Sequence, residues 1–416
     1  MTMYELAKER FAALGLDTEK AMETLRKKAI SINCWQGDDV VGFDNPDGGA
    51  GSGIQTTGNY PGRARSFEEL KADFLKAASM IPGKKRINLH ACYAVFDKEH
   101  PWVDRDQLTY DYFAPWVAFA KENDLGIDFN PTVFSHPMMK DGLSLSSPDE
   151  KVRRFWIDHC KATRRIAERI GQELNDEVLN NVWIPDGYKD IPSDRLGPRL
   201  RLKEALDEIF AEPCPHVIDC VESKVFAIGV ESYTVGSNEF YLAYAATHPG
   251  IYDLMDMGHF HPQEFVSDKV SALLPYFDRI PLHVTRPVRW DSDHVVLLDD
   301  ELKELMKELV RCGALEKAVI GLDFFDASIN RIAAWVLGTR AAQKAILFAL
   351  LQPDAELKKA QDEGDFTRRL VLMEEAKTLP FGAVWEEYCR RTGVPADGAW
   401  FDGVRAYERD VLLKRN

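Results

Sequence analysis

Residues 252–259, YDLMDMGH, and 281–288, PLHVTRPV, decide the fold of this chain. Each is a short run, apolar nearly throughout, that carries acids or histidines: Asp256 and His259 in the first, His283 in the second. Such runs read as parallel strands buried on both faces rather than as half-exposed antiparallel ones. Working outward, the same kind of run recurs as ISINCWQG (30–37), RINLHACY (86–93), GIDFNPTVF (126–134), NVWIPDG (181–187), HVIDCVESK (216–224) and AVIGLDFFD (318–326). Amphipathic helical patterns lie between them: FEELKADFLKAASMI (67–81), FAPWVAFAKENDLG (113–126), DEKVRRFWIDHCKATRRIAERI (149–170) and LKELMKELVRCG (302–313). Strands alternating with helices imply a parallel sheet, and eight such units predict an α/β protein closed into a (β/α)8 TIM barrel.

The side chains able to do chemistry gather where those runs end. Glu222 and Lys224 end the fifth, Asp256 and His259 the sixth, His283 lies in the seventh, and Asp323 ends the eighth. Asp291 and Asp293, in WDSDH, follow the seventh. Catalytic groups of a barrel come from the C-terminal ends of its strands and the loops that follow. Taken singly, Asp291 and Asp293 read as loop residues capping backbone, and His259 and His261 as hydrogen-bonded core histidines. Glu222, Asp256 and Asp323 resist that reading, because an unpaired carboxylate in a buried run is costly. Carboxylates so placed repel one another unless cations sit between them. Hard divalent ions favour the carboxylate oxygens, and imidazole shifts the preference toward Mn, Co or Zn. The stretch 256–323 therefore predicts a site for two metal ions.

Bulk properties narrow the partner. The chain has 416 residues, 45% of them hydrophobic and 29% charged, with a net charge of −15. A phosphate backbone or an anionic membrane is repelled by such a surface, whereas a neutral small molecule is indifferent to it. The opening MTMYELAKERF is charged, and no apolar run approaches the roughly 20 residues that span a bilayer. The seven cysteines are scattered, odd in number and without a CxxC pair, which points to a reduced, cytoplasmic protein. Residues 1–352 are expected to form the barrel and 353–416 a C-terminal helical extension that packs on the exterior or grips a neighbouring subunit. The glycine-rich loop DNPDGGAGSGIQTTGNYPG (44–62) lacks the GK[ST] of a phosphate cradle and reads as a flap over the pocket.

Longer stretches carry a resemblance. CWQGDDV (34–40), TGNYPG (57–62), NLHA (88–91), DFNP and FSHP within 128–137, and WIPDGYKDI (183–191) are similar to the L-rhamnose isomerase family, within the xylose isomerase-like superfamily. ESYTVGSNEFY (231–241), DMGHFHP (256–262), HVTRPVRWDSDHVVLLDD (283–300) and GLDFFDASINRIAAW (321–335) extend it along nearly the whole chain. The resemblance implies an aldose–ketose isomerase that converts L-rhamnose to L-rhamnulose in L-rhamnose catabolism, by a hydride shift between C1 and C2 assisted by two divalent ions. Mn²⁺ is the first expectation, with Co²⁺ or Zn²⁺ as alternatives. Glu222, Asp256, His283 and Asp323 would hold a structural ion, and His259, Asp291 and Asp293 a catalytic one. Lys224 would stabilise negative charge on O1, with Asp323 also in the catalytic group. His90 would bind sugar hydroxyls and help open the ring, while Trp183 and Phe134 would wall the sugar carbons beside Glu222. The related xylose isomerases carry an aspartate three residues after the equivalent histidine, where this chain has Tyr93. The resemblance also implies a homotetramer.

Two alternatives remain beside that expectation. One is an isomerase of another aldose, of the L-mannose, L-lyxose or D-allose type, because one methyl group is worth only ~1–3 kcal/mol of discrimination. The other is a metal-dependent phosphodiesterase or endonuclease on the same barrel. The net charge and the lack of a basic stripe weigh against the latter.

Overall fold

A computed structural model describes residues 1–44, 54, 56–225, 232–289 and 291–415, with backbone alone at 291 and 292. Eight parallel strands form one sheet: β1 Ile30–Asn33, β2 Lys85–His90, β3 Gly126–Asn130, β4 Val178–Trp183, β5 Val217–Glu222, β6 Ile251–Asp256, β7 Ile280–Val284 and β8 Ala318–Leu322. Main-chain ladders join them in the order β3-β2-β1-β8-β7-β6-β5-β4. The first and last members of that order meet through side chains. Asp128 Oδ1 accepts the Leu179 N–H at 3.0 Å, and Asn130 Oδ1 accepts the Asn181 N–H at 3.1 Å. Between β3 and β4 an aspartate and an asparagine thus take the place of backbone carbonyls, and the sheet curls into a nearly closed barrel.

Each strand is shorter than the apolar run that announced it. The 126–134 run stops at Asn130 because Pro131 has no N–H to give a ladder. The 30–37 run leaves the sheet at Asn33 and turns into a 3-10 helix, Cys34–Gly37, and the 86–93 run does the same at Ala91–Tyr93. Those turn residues stay buried, so apolarity overshoots the strand. The 181–187 run instead begins early, at Val178, because Leu179 and Asn181 find partners on β3. Arg286–Val288, at the end of the seventh run, pairs antiparallel with Asp291–His294 in a separate two-stranded piece above β7.

A helix follows every strand, eight in all: Phe67–Ala78, Ala114–Glu122, Glu150–Leu174, Leu196–Ile209, Asn238–Thr247, Val266–Leu273, Asp300–Arg311 and Arg331–Leu350. The third is anchored to the sheet by a buried ion pair: Arg164 Nε and Nη2 donate to the two oxygens of Asp219 at 2.9 and 2.7 Å. The eighth covers β1 through Trp335, fully buried, whose indole N–H donates to Asn33 O at 2.7 Å. No single helix among the described residues is long and apolar enough to cross a membrane.

Beyond Leu350 come Asp354–Asp362, Phe366–Ala376, Phe381–Arg391 and Ala399–Asp410. The chain end returns to the barrel, where Arg415 donates to both oxygens of Asp73 on the first covering helix, at 2.6 and 2.8 Å. At the N-terminal mouth Arg86 spends its donors on Asp128, Asp176 and the carbonyls of Ile127 and Glu177. That end carries charge pairs, and the cluster of acids and histidines lies at the other end.

Candidate metal centre

The C-terminal ends of β5 to β8 converge. One ligand atom from each of Glu222, Asp256, His283 and Asp323 lies within 4.8 Å of every other, and together they could hold a metal ion. His283 Nδ1 sits among the acids, 3.3 Å from Glu222 Oε1, 3.4 Å from Asp323 Oδ2 and 3.9 Å from Asp256 Oδ2. The ring fits so closely because the neighbouring position on β8 is Gly321, where a Cβ would come to 3.2 Å from His283 Cδ2.

His259 joins this group from the turn after β6. Its Nδ1 is 3.0 Å from Glu222 Oε1, without hydrogen-bond alignment, and its Nε2 is 4.0 Å from Asp256 Oδ1. Lys224 Nζ lies 3.0 Å from His259 Nε2. An ammonium can only donate, so Nε2 is the bare nitrogen and Nδ1 carries the proton facing Glu222.

Electrostatics inside the cluster follow from burial and crowding. Burial works against the charge of Glu222, but His283 and His259 outweigh it and hold the carboxyl below its ordinary range. Burial pushes Asp256 up to about 7, helped by the charges of Glu222 and Asp323. Burial opposes charge on His283 too, yet Glu222 and Asp323 raise it well above an ordinary imidazole. Asp256 Oδ2, which faces His283 Nδ1 across the cluster, is buried without a hydrogen-bond partner among the described residues. An orphaned, buried donor atom in a mixed carboxylate and imidazole set is what a divalent cation satisfies. The residues present fit such an ion.

Of the other candidate ligands, Asp293 lies in the hairpin above β7, half-buried in left-handed backbone at φ 67°. Its carbonyl accepts the Phe325 N–H at 3.1 Å, which ties that hairpin to the loop after Asp323. The side chain of Asp291 lies outside the described residues, as does most of the 44–62 loop. The loop's downstream anchor is described: Gly58, at φ 125°, packs where any Cβ would come to 2.3 Å from the Ala327 backbone, and Tyr60 N donates to Ala327 O at 2.7 Å.

Along one side of the mouth runs an aromatic series. Trp35 meets His90 edge-on with ring centroids 4.9 Å apart, His90 meets Phe134 at 5.6 Å, and Phe134 meets Trp183 at 6.0 Å. Burial lowers the His90 imidazole to about 4. Its Nδ1 lies 3.0 Å from Pro131 O, and since a carbonyl only accepts, that nitrogen carries the proton and Nε2 is left as an acceptor. The position left by Tyr93 is explained too, because its hydroxyl donates to Asp38 at 2.6 Å, away from His90.

Sequence reasoning did not single out Asn181, Pro131 or Trp35. Asn181 Nδ2 donates to Glu222 Oε2, and Trp35 Nε1 donates to Asp323 Oδ1 at 3.1 Å. Pro131 and Trp35 sit just past strand ends, which was the available signal, whereas Asn181 lies within β4.

Comparison with known proteins identifies the family. The L-rhamnose isomerase family matches residues 1–415. L-rhamnose isomerase of Salmonella paratyphi A is 56% identical over 415 residues, covering 99% of this chain and 98% of its own. That of Citrobacter koseri is 55% identical with the same coverage. Among solved structures, D-psicose 3-epimerase from Clostridium cellulolyticum H10 aligns at TM-score 0.46 and 15% identity, over 77% of this chain and 98% of that one. An L-ribulose 3-epimerase aligns at TM-score 0.48 and 11% identity, over 80% and 98%. A chain matched from end to end at more than half identity belongs to the L-rhamnose isomerase family.

Proposed function

We propose that this protein is a metal-dependent aldose–ketose isomerase that converts L-rhamnose to L-rhamnulose in L-rhamnose catabolism. The observation that carries the reading is the Glu222, Asp256, His283 and Asp323 cluster at the catalytic mouth of a chain belonging to this family. These four would hold one ion; His259, Asp291 and Asp293 would hold a second. Mn²⁺ suits such mixed donors, as do Co²⁺ and Zn²⁺. When bound, the ions supply Lewis acidity at the carbonyl and the adjacent hydroxyl.

The chain's own residues do the rest. His90 presents an uncharged Nε2 as an acceptor for a sugar hydroxyl proton, the need that arises when a hemiacetal ring opens. Lys224, held against His259, stabilises negative charge growing on O1 as hydrogen passes between C1 and C2. Trp183 and Phe134 offer an apolar wall suited to a 6-deoxy sugar, whose terminal carbon is a methyl group. The protein is read as cytoplasmic, with 1–352 as the catalytic barrel and 353–416 as an extension that contacts other subunits of a homotetramer. The apolar side chains of Phe366, Leu370 and Val371, each more than half exposed, support a surface awaiting a partner.

A sugar panel tests the substrate. With Mn²⁺ present, L-rhamnose should give L-rhamnulose at a higher kcat/KM than L-mannose or D-xylose gives its ketose. A preference for L-mannose would move the assignment to a neighbouring aldose isomerase.

A further inference from the structure

Trp35 touches both ends of the site at once. It sits in the 3-10 turn Cys34–Gly37 that closes β1, and it is 3% exposed. Its indole N–H donates to Asp323 Oδ1 at 3.1 Å, while its ring packs edge-on against His90 at 77° between planes. The other oxygen of Asp323, Oδ2, is the one that faces His283.

The turn that carries the indole is bolted to the loop that carries the carboxylate. Asn33 Nδ2 donates to Phe324 O at 2.5 Å. Gln36 exchanges two bonds with the Asp326 backbone, Nε2 to O at 3.0 Å and N to Oε1 at 2.7 Å. Gly37 leaves no room for adjustment, since a Cβ there would come to 2.5 Å from Trp335. From the other side Asp323 N donates to Val284 O at 3.1 Å. With both backbones fixed, the indole bond sets the rotation of the Asp323 carboxyl. Outer-sphere bonds of this kind orient a ligand oxygen and tune the ion it meets.

We propose that Trp35 is a positioning residue for the metal centre: its N–H occupies Asp323 Oδ1, so that Oδ2 alone is presented to a cation shared with Glu222, Asp256 and His283. The inference rests on reading that cluster as a cation site. It assigns to Trp35 a role distinct from lining the sugar pocket, because the indole N–H, rather than the ring, carries it.

The test compares Mn²⁺ binding to metal-free wild type, Trp35→Phe, and Trp35→benzothienylalanine, by calorimetric titration together with the Tm of each ion-free protein. The second substitution keeps the bicyclic shape and replaces the N–H by sulfur, so it isolates the bond if the phenylalanine variant fails to fold. The expected result is a Kd for Mn²⁺ weakened about 10-fold or more in a variant lacking the N–H, with an ion-free Tm close to wild type. A Kd within about twofold of wild type in benzothienylalanine-containing protein overturns the role of Trp35 and leaves the cluster reading intact. Failure of wild type itself to bind Mn²⁺ overturns both.

Discussion

Trp183 and Glu222 stand opposite one another in the β4–β5 ladder. One point of the barrel rim therefore carries both an end of the aromatic wall and a carboxylate of the metal cluster. On the proposed reading, strand register alone fixes how far the wall stands from that carboxylate.

The Trp183 indole N–H makes no hydrogen bond among the described residues. Trp183→Phe forfeits no protein partner there, and it should cost less than about 2 kcal/mol of stability. The loss should fall on KM for L-rhamnose, raised several-fold with kcat less affected, because contact with the sugar carbons is ground-state and transition-state binding alike. Steady-state kinetics beside a thermal melt check this; an unchanged KM would remove Trp183 from the wall.

Cation binding should stabilise the fold by mass action. At Mn²⁺ near ~100 times its Kd the gain is about 2.7 kcal/mol, visible as a rise in Tm. Asp256→Asn alters a buried carboxylate whose Oδ2 has no hydrogen-bond partner among the described residues. The variant should lose turnover and most of the Mn²⁺-dependent rise. An undiminished rise would place the ion elsewhere.

Asp38 gives a pH dependence separate from the metal cluster. Burial pushes its carboxyl up to about 7, against about 4 in an unfolded chain. The folded protein thus keeps a proton that the unfolded chain has already lost. The stabilisation is complete below about pH 4 and is lost as pH rises through about 7. Asp38→Asn has no proton to lose. Chemical unfolding at ~pH 5 and ~pH 8 should show wild type losing stability relative to the variant on going up; a constant difference would contradict the assignment.

The Arg164–Asp219 pair clamps the helix Glu150–Leu174 to β5, three residues before Glu222. Both side chains are at most a tenth exposed. Asp219→Asn leaves the guanidinium buried without its counter-charge, at a cost of about 3–5 kcal/mol. Urea unfolding measures it, and the Mn²⁺ Kd should stay near wild type if the pair acts on the fold rather than on the site.

What the chain disclosed in advance follows from distance along it. Asp256 and His283 were legible because each sits in a buried apolar run, where a polar side chain needs a reason to exist. Eight such runs sufficed for the barrel. Trp35 and Asp323 are 288 positions apart, and no periodicity links an indole to a carboxylate at that range. The β3–β4 seam, made by Asp128 and Asn130 side chains, was hidden for the same reason. The helix Asn238–Thr247 escaped notice because NEFYLAYAAT is apolar around most of its girth, with no polar stripe to mark a period.

The most direct measurement follows the hydrogen itself. L-rhamnose deuterated at C2 is given to metal-stripped protein, and then to the same protein with Mn²⁺ restored, and the ketose is analysed for amount and label. The account predicts no ketose without metal, and with Mn²⁺ L-rhamnulose that retains deuterium at C1, as a direct shift between C2 and C1 requires. Ketose formed by stripped protein, or deuterium lost to water, would contradict it.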